Sequence, residues 1–338
     1  MLELRNQTPF EVGMIPCLDK EGYDYVAIAI KGTFDLVKNN ESLSVSEAQI
    51  PLAWGDEFYG EPGVSSVKYE SDTCQIKSGT DVILKGHAYA KGGGRSAEID
   101  VQLQVGPLNK TVRVIGDRKW GKSLGMWRWS GPEPFDRIPL VYERAFGGND
   151  ASDPDPAKHD YEKRNPVGTG FSIAKKNLEG MPLPNLEDPG MPIKGWDDKP
   201  APAGFGFIGR DWAPRVKYAG TYDEKWQKER FPMLPSDFDP SFFNGASPDL
   251  IARPHFKGGE PVRVVNASPE GELKFKLPAR RFDISLWIKG KESAMIPVLD
   301  TVVIEPDEKR LLLTWRATAP CFKQFLYIDR VRVKEKAG

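Results

Sequence analysis

A mainly β fold is predicted, and three observations carry that prediction. Apolar and polar residues alternate with period two near both ends of the chain. Proline and glycine are abundant, at 29 and 33 residues, and only one stretch carries helix-starting and helix-stopping chemistry. Successive side chains of a strand point to opposite faces, so strict alternation marks one wet face and one buried one. Proline removes a ladder donor and blocks helix interiors, so its abundance shifts the balance further toward turns and irregular backbone. The expected architecture is two β-rich regions, sandwich or barrel-like, at residues 1–130 and 259–338. A long ordered irregular segment rich in Pro, Gly and aromatics, residues 131–258, joins them and carries one short helix.

Taken in order, Val26, Ile28, Ile30 and Phe34 share one face of a strand while Ala27 and Ala29 occupy the other, so both faces are partly covered. Ile99, Val101, Leu103 and Val105 alternate with Glu98, Asp100, Gln102 and Gln104. Gly106–Asn109 supplies a turn and Thr111–Ile115 returns, so 98–115 reads as a hairpin. In the middle, 18 of the 29 prolines fall between Pro132 and Pro254. That segment also holds too many Trp and Phe residues to stay in water. Thr221-Tyr222-Asp223-Glu224 forms a capping box, Tyr222 and Trp226 stack one turn apart, and Pro232 stops the helix expected near Tyr222–Arg230. Five more strands follow from the same alternation: Leu273–Leu277, Phe282–Ile288, Val298–Ile304, Leu311–Trp315 and Phe325–Val333.

Composition bounds the function. The chain has 338 residues, 47 basic against 48 acidic, and 39% hydrophobic residues, which is a globular and near-neutral balance. No basic block offers a footprint for nucleic acid, and no polybasic stretch suits a membrane surface. The opening Met1–Arg5 has no secretory leader, and no apolar run approaches the ~20 residues that cross a bilayer. Cys17, Cys74 and Cys321 are scattered and odd in number, as buried thiols of a reducing compartment are. A cytoplasmic location follows as an expectation.

Two motifs offer enzymatic chemistry. Gly116–Ser123 fits the phosphate-loop pattern, in which backbone amides cradle phosphates while lysine and serine engage the terminal phosphate and Mg²⁺. Gly121–Gly125 fits a nucleophile elbow. Both require a helix immediately afterwards, and the chain instead reads Leu124-Gly125-Met126-Trp127-Arg128-Trp129-Ser130-Gly131-Pro132. His87, His159 and His255 stand far apart, with no second ligand at metal spacing. No catalytic residue, metal or cofactor is therefore expected, and a hydrolase or nucleotide-binding enzyme built on Gly116–Ser123 is the alternative. What remains is a set of aromatics suited to anchoring a protein partner: Trp127, Trp129, Trp226, Phe242 and Phe243. Glu143 and Arg144, beside apolar Val141, Tyr142, Ala145 and Phe146, are expected to form a structural polar pair with at least one member buried.

A string of motifs across positions 1–260 resembles one bacterial family. It includes Leu4–Phe10, Lys31–Phe34, Gly86–Ala90, Gly116-Asp117-Arg118 with Trp120, Tyr142–Gly148, Asn165–Gly168 and Leu183–Glu187. Pro202–Gly206, Ala219–Asp223 with Trp226, and Leu234-Pro235 before Asp237-Phe238 continue it. The family resembled is the large domain-of-unknown-function group encoded beside type VI secretion VgrG spike proteins and toxic effectors. The resemblance implies a cytoplasmic adaptor, or chaperone, that binds a cognate effector and helps load it onto the spike, without catalysis. It implies no site residues.

Overall fold

The computed structural model describes residues 3–36, 42–75 and 77–336, so the extreme ends of the two expected β-rich regions lie outside it. Among these residues it is mainly β, with one α-helix, several sheets and no closed barrel. Three sheets dominate. The largest has six strands in the order Ile251–Ala252, Thr80–Leu84, Val298–Glu305, Arg310–Pro320, Asp24–Asp35, Glu11–Leu18. A five-stranded sheet runs Leu186–Glu187, Leu108–Ile115, Glu98–Val105, Pro261–Val265, Leu273–Lys276. The third has four strands: Glu3–Gln7, Ile328–Glu335, Phe282–Ile288, Lys291–Met295.

Sequence pattern explains each strand's place. Every residue from Val26 to Phe34 is buried, so Asp24–Asp35 can only be an interior strand, paired on both sides. Ile28, Ile30 and Phe34 face the main core, while the small Ala27 and Ala29 meet Ile15 and Leu52 on the other face. The alternating run 98–105 buries Ile99, Val101, Leu103 and Val105 and wets their neighbours, as its period demands. Its turn is tighter than expected. Val105 pairs directly with Leu108, leaving Gly106 and Pro107 alone at the tip, with Gly106 at φ +53°. Each fully buried Val, Leu or Ile contributes on the order of 1.5–3 kcal/mol.

The two ends of the chain do not form separate sheets. Strands Val298–Glu305 and Arg310–Pro320 insert between Thr80–Leu84 and Asp24–Asp35, and Glu3–Gln7 runs parallel to Ile328–Glu335. An aromatic cluster ties the sheets together. Phe282 of the four-stranded sheet lies 5.0 Å from Trp315 of the six-stranded one, and Phe10 touches Phe34, Phe282 and Trp315.

The proline-rich middle consists of short strands, 3-10 turns and the helix Glu224–Glu229. Asp223, not Thr221, caps that helix by accepting from the Trp226 amide at 2.8 Å, which starts it later than the expected Tyr222. The middle still feeds the main core through Tyr142, Phe205, Phe207, Trp212 and Leu250. A second, smaller core gathers Trp120, Phe146, Phe171, Leu178, Leu183 and Ile193.

Charges bind the middle to the largest sheet. Glu70 accepts from Arg215 at 2.6 Å and pairs with Lys77 at 3.2 Å, and Lys77 also reaches Asp81 at 2.7 Å. Asp81 in turn accepts from the Gly245 amide and from Asn244. Deeper in the sheet, Arg316 pairs with Asp300 at 2.6 Å. Among the described residues no helix is long and apolar enough to cross a membrane.

Candidate functional site

The segment 116–130 is built residue by residue for a structural turn and a hairpin. Gly116 leaves no room for a side chain, since a β-carbon there would sit 1.8 Å from the Glu133 carbonyl oxygen. Asp117 accepts from Asn185 Nδ2 at 2.9 Å and from Arg144 Nη1 at 3.3 Å. Arg118 is buried, donating to Glu187 at 2.6 Å and to the Pro184 carbonyl at 2.8 Å. Trp120–Ser123 then pairs antiparallel with Met126–Trp129. No helix follows, so the phosphate-loop lysine and serine lie exposed on a strand, with Lys122 Nζ 4.9 Å from the Trp127 ring centre. The same pairing removes the strand–turn–helix that a nucleophile elbow needs.

Beside this hairpin lies an open polar cleft of about 430 Å³, lined by Asp117, Arg118, Lys119, Glu143, Arg144 and Asn185 among others. Several family-like motifs distant in sequence meet here. Asn165 Nδ2 donates to the carbonyls of Tyr142 and Phe146, which fixes the turn that presents Glu143 and Arg144. The expected Glu143–Arg144 pair does not form. Glu143 accepts from the Ser66 amide and hydroxyl, both at 2.7 Å, whereas Arg144 donates to Asn185 at 3.0 Å and Asp117. Both side chains are only half-buried, because a one-turn 3-10 element directs consecutive residues to different neighbours.

The five aromatic anchors fall in three places. Trp127 and Trp129 sit together on the hairpin, Trp127 half-buried against the smaller core and Trp129 edge-on to Trp120 at 5.1 Å. Trp226 is on the helix, stacked with Tyr222 at 4.7 Å and Phe231 at 5.7 Å, its indole donating to the Met233 carbonyl. Phe242 and Phe243 pack with Phe238 and are half-buried, and the Arg215 guanidinium lies over Phe242. Two apolar residues beside Trp127 escaped the sequence reading. Leu124, at the hairpin tip, is 96% exposed, and Met126 is more than half exposed. The two-residue spacing between Ser123 and Met126 is the signal that could have placed them at a tip.

One other concavity, of about 470 Å³, bears on the enzymatic alternative. In it Lys110 Nζ lies 2.8 Å from Ser247 Oγ and 3.0 Å from Asp249, and Ser247 Oγ donates to Asp249 at 2.5 Å. Burial lowers the Lys110 ammonium, and the Asp249 carboxylate works against that fall. Asp249 Oδ1 accepts from both neighbours, so the serine hydroxyl is turned toward a carboxylate and not toward any histidine. The histidines are equally separate: His87 meets Asp307, His159 the Asp153 carbonyl and His255 the Lys77 carbonyl.

No curated protein and no solved structure matches this chain. A family model described as "Uncharacterized protein conserved in bacteria (DUF2169)" matches residues 21–316, a span holding the whole five-stranded sheet, parts of the other two main sheets and the whole polar cleft. The chain therefore belongs to the DUF2169 family of uncharacterized bacterial proteins.

Proposed function

We propose that this protein is a type VI secretion effector adaptor, or chaperone, that binds a cognate toxic effector in the cytoplasm and helps load it onto the VgrG spike, with no catalysis of its own. The observation that carries the reading is the pairing of an exposed aromatic hairpin with the polar cleft beside it. Trp129, Met126 and Leu124 are exposed around half-buried Trp127, and the cleft adds guanidinium, carboxylate and amide groups for specificity. Aromatic and Arg residues in such settings are the usual anchors of protein interfaces. Partner surfaces also tend to lie on ordered loops held by a scaffold, which is how residues 116–258 relate to the sheets.

Co-purification of the chain with the effector and spike proteins encoded beside it is the direct test. Capture of the effector by wild type is expected. Alanine replacement of Trp127, Trp129, Trp226, Phe242 and Phe243, one at a time, should reveal one or two positions that weaken capture by roughly thirtyfold. Capture of neither protein would sink the adaptor reading. Tight Mg²⁺-ATP binding lost in Lys122→Ala would replace it with the nucleotide-binding alternative.

A further inference from the structure

The hairpin has one edge that no described residue covers. Trp120 donates its amide to the Met181 carbonyl, and its own carbonyl accepts from Gly180. Those bonds point away from Trp129, so Trp120 and Trp129 form a non-hydrogen-bonded pair of the antiparallel ladder. Bonded and non-bonded pairs alternate, so Lys122 and Trp127 are the next non-bonded pair and Ser123 and Met126 close the turn. The consequence is geometric. On the strand Met126–Trp129, the N–H and C=O groups of Trp127 and Trp129 all point outward, and among the described residues no hydrogen bond engages any of them.

An open edge is a template for another strand, and proteins commonly blunt one by keeping it short or with charged side chains, proline or bulges. This one is short and carries Arg128, yet it also presents two tryptophans and leads back to Leu124, held at φ +51° with Gly125 at +77° in a two-residue turn. Both central residues with positive φ is the geometry of a type I′ hairpin, which favours Asn-Gly and disfavours leucine. The hairpin's charged residues are Lys119, Lys122 and Arg128, with no acid from 119 to 130, and none of the three forms an ion pair among the described residues.

We infer that the edge Met126–Trp129 receives an extended segment of the partner protein as an added β-strand, one that alternates apolar and acidic residues. The inference rests on the adaptor reading for the partner's identity, but its geometry is independent of it. Backbone bonds from Trp127 and Trp129 supply register, the indoles grip apolar side chains on one face, and Arg128, on the opposite face, selects acidic ones. This is recognition by strand addition, in which main-chain bonds give affinity and alternate side chains give specificity.

The probe is a short capped peptide of alternating valine and glutamate, with a valine–lysine peptide as its counterpart. The acidic peptide should bind and slow hydrogen exchange at the Trp127 and Trp129 amides, while Met126 and Arg128, already bonded within the hairpin, change little. Trp127→Pro removes an outward donor without touching a ladder bond and should weaken binding at least tenfold relative to Trp127→Phe. Should the proline variant fail to fold, Arg128→Glu, on an exposed position, should reverse preference to the lysine peptide. No binding of the acidic peptide, or binding without protection of the two tryptophan amides, overturns the inference. So does a homodimer that Trp127→Pro dissolves, since the edge would then serve a second copy. Effector capture that is equal in wild type and Trp127→Pro leaves the adaptor reading standing and removes the edge from it. Edge docking of the peptide by a chain that captures no effector does the reverse.

Discussion

Glu70 is the residue on which the joint between sheet and middle segment turns. Burial alone would raise its carboxyl, but Lys77, Arg215 and Arg210 outweigh burial and hold it at about 2, below the usual 4.5. A carboxyl depressed in the folded state contributes stability above its unfolded value and loses it as pH falls. That contribution, about 3 kcal/mol, is therefore present above pH 4.5 and disappears toward pH 2. Glu70→Gln should lower stability by roughly 3–5 kcal/mol at neutral pH, because it leaves buried cations without their partner. It should also flatten the acid limb, and urea titrations across pH 2–5 measure both effects. An acid limb as steep as wild type would assign that loss to other carboxylates. Arg144 behaves differently. Its side chain is 43% exposed and bonded to Asn185 and a still more exposed Asp117, so Arg144→Ala should cost only about 1 kcal/mol in denaturant. A loss comparable to that of Glu70→Gln would mean that the Arg144 bond to Asn185 anchors the whole cleft wall.

Among elements, the hairpin at 120–129 sets function against stability most openly. Leu124 occupies a left-handed position that costs an ordinary residue roughly 1–2 kcal/mol and an asparagine much less. Leu124→Asn should therefore raise the melting temperature by a few degrees while weakening effector capture. A melting temperature that falls instead would show that Leu124 packs on something at the tip. Local elements such as this one were partly legible in the sequence. The pattern 98–115 disclosed both its strands and their pairing, because a hairpin's partner is its neighbour. Capping chemistry disclosed the helix, displaced by the stronger claim of Asp223 on the Trp226 amide. Glu11–Leu18 and Lys291–Met295 gave weaker signals, since edge or polar strands lack a clean apolar period, and Pro261–Val265, interior but only five residues long, offers just two buried positions to read. The tryptophans at 127 and 129 stood out by type. That their backbone groups point outward did not, because it depends on tertiary contacts, Gly180 and Met181 bonding the opposite edge at Trp120 and no strand lying beside Met126–Trp129 among the described residues.

For the whole molecule, alternation reveals which face of a strand is wet but never which strand lies beside it. Hence the six-stranded sheet was not foreseeable: its middle comes from residues 298–320 and its flanks from residues 11–35, 80–84 and 251–252. Sheets shared in this way should melt together. One calorimetric transition is expected for the full chain, and a fragment ending at residue 258 should remain unfolded, lacking the two strands that hold its sheet together. Two resolved transitions, or a folded fragment, would show that the two ends of the chain fold independently of each other. The same interleaving sets a timetable for synthesis. Asp24–Asp35, buried along nearly its whole length in the finished protein, leaves the ribosome long before Arg310–Pro320 exists to pair with it. At ordinary translation speeds the wait is roughly fifteen seconds to a minute. For that interval this strand can pair with Glu11–Leu18 on one side only and its other edge stays open, so the protein's yield in the cell depends on what shields nascent chains, and slowing translation late in the message should favour aggregation.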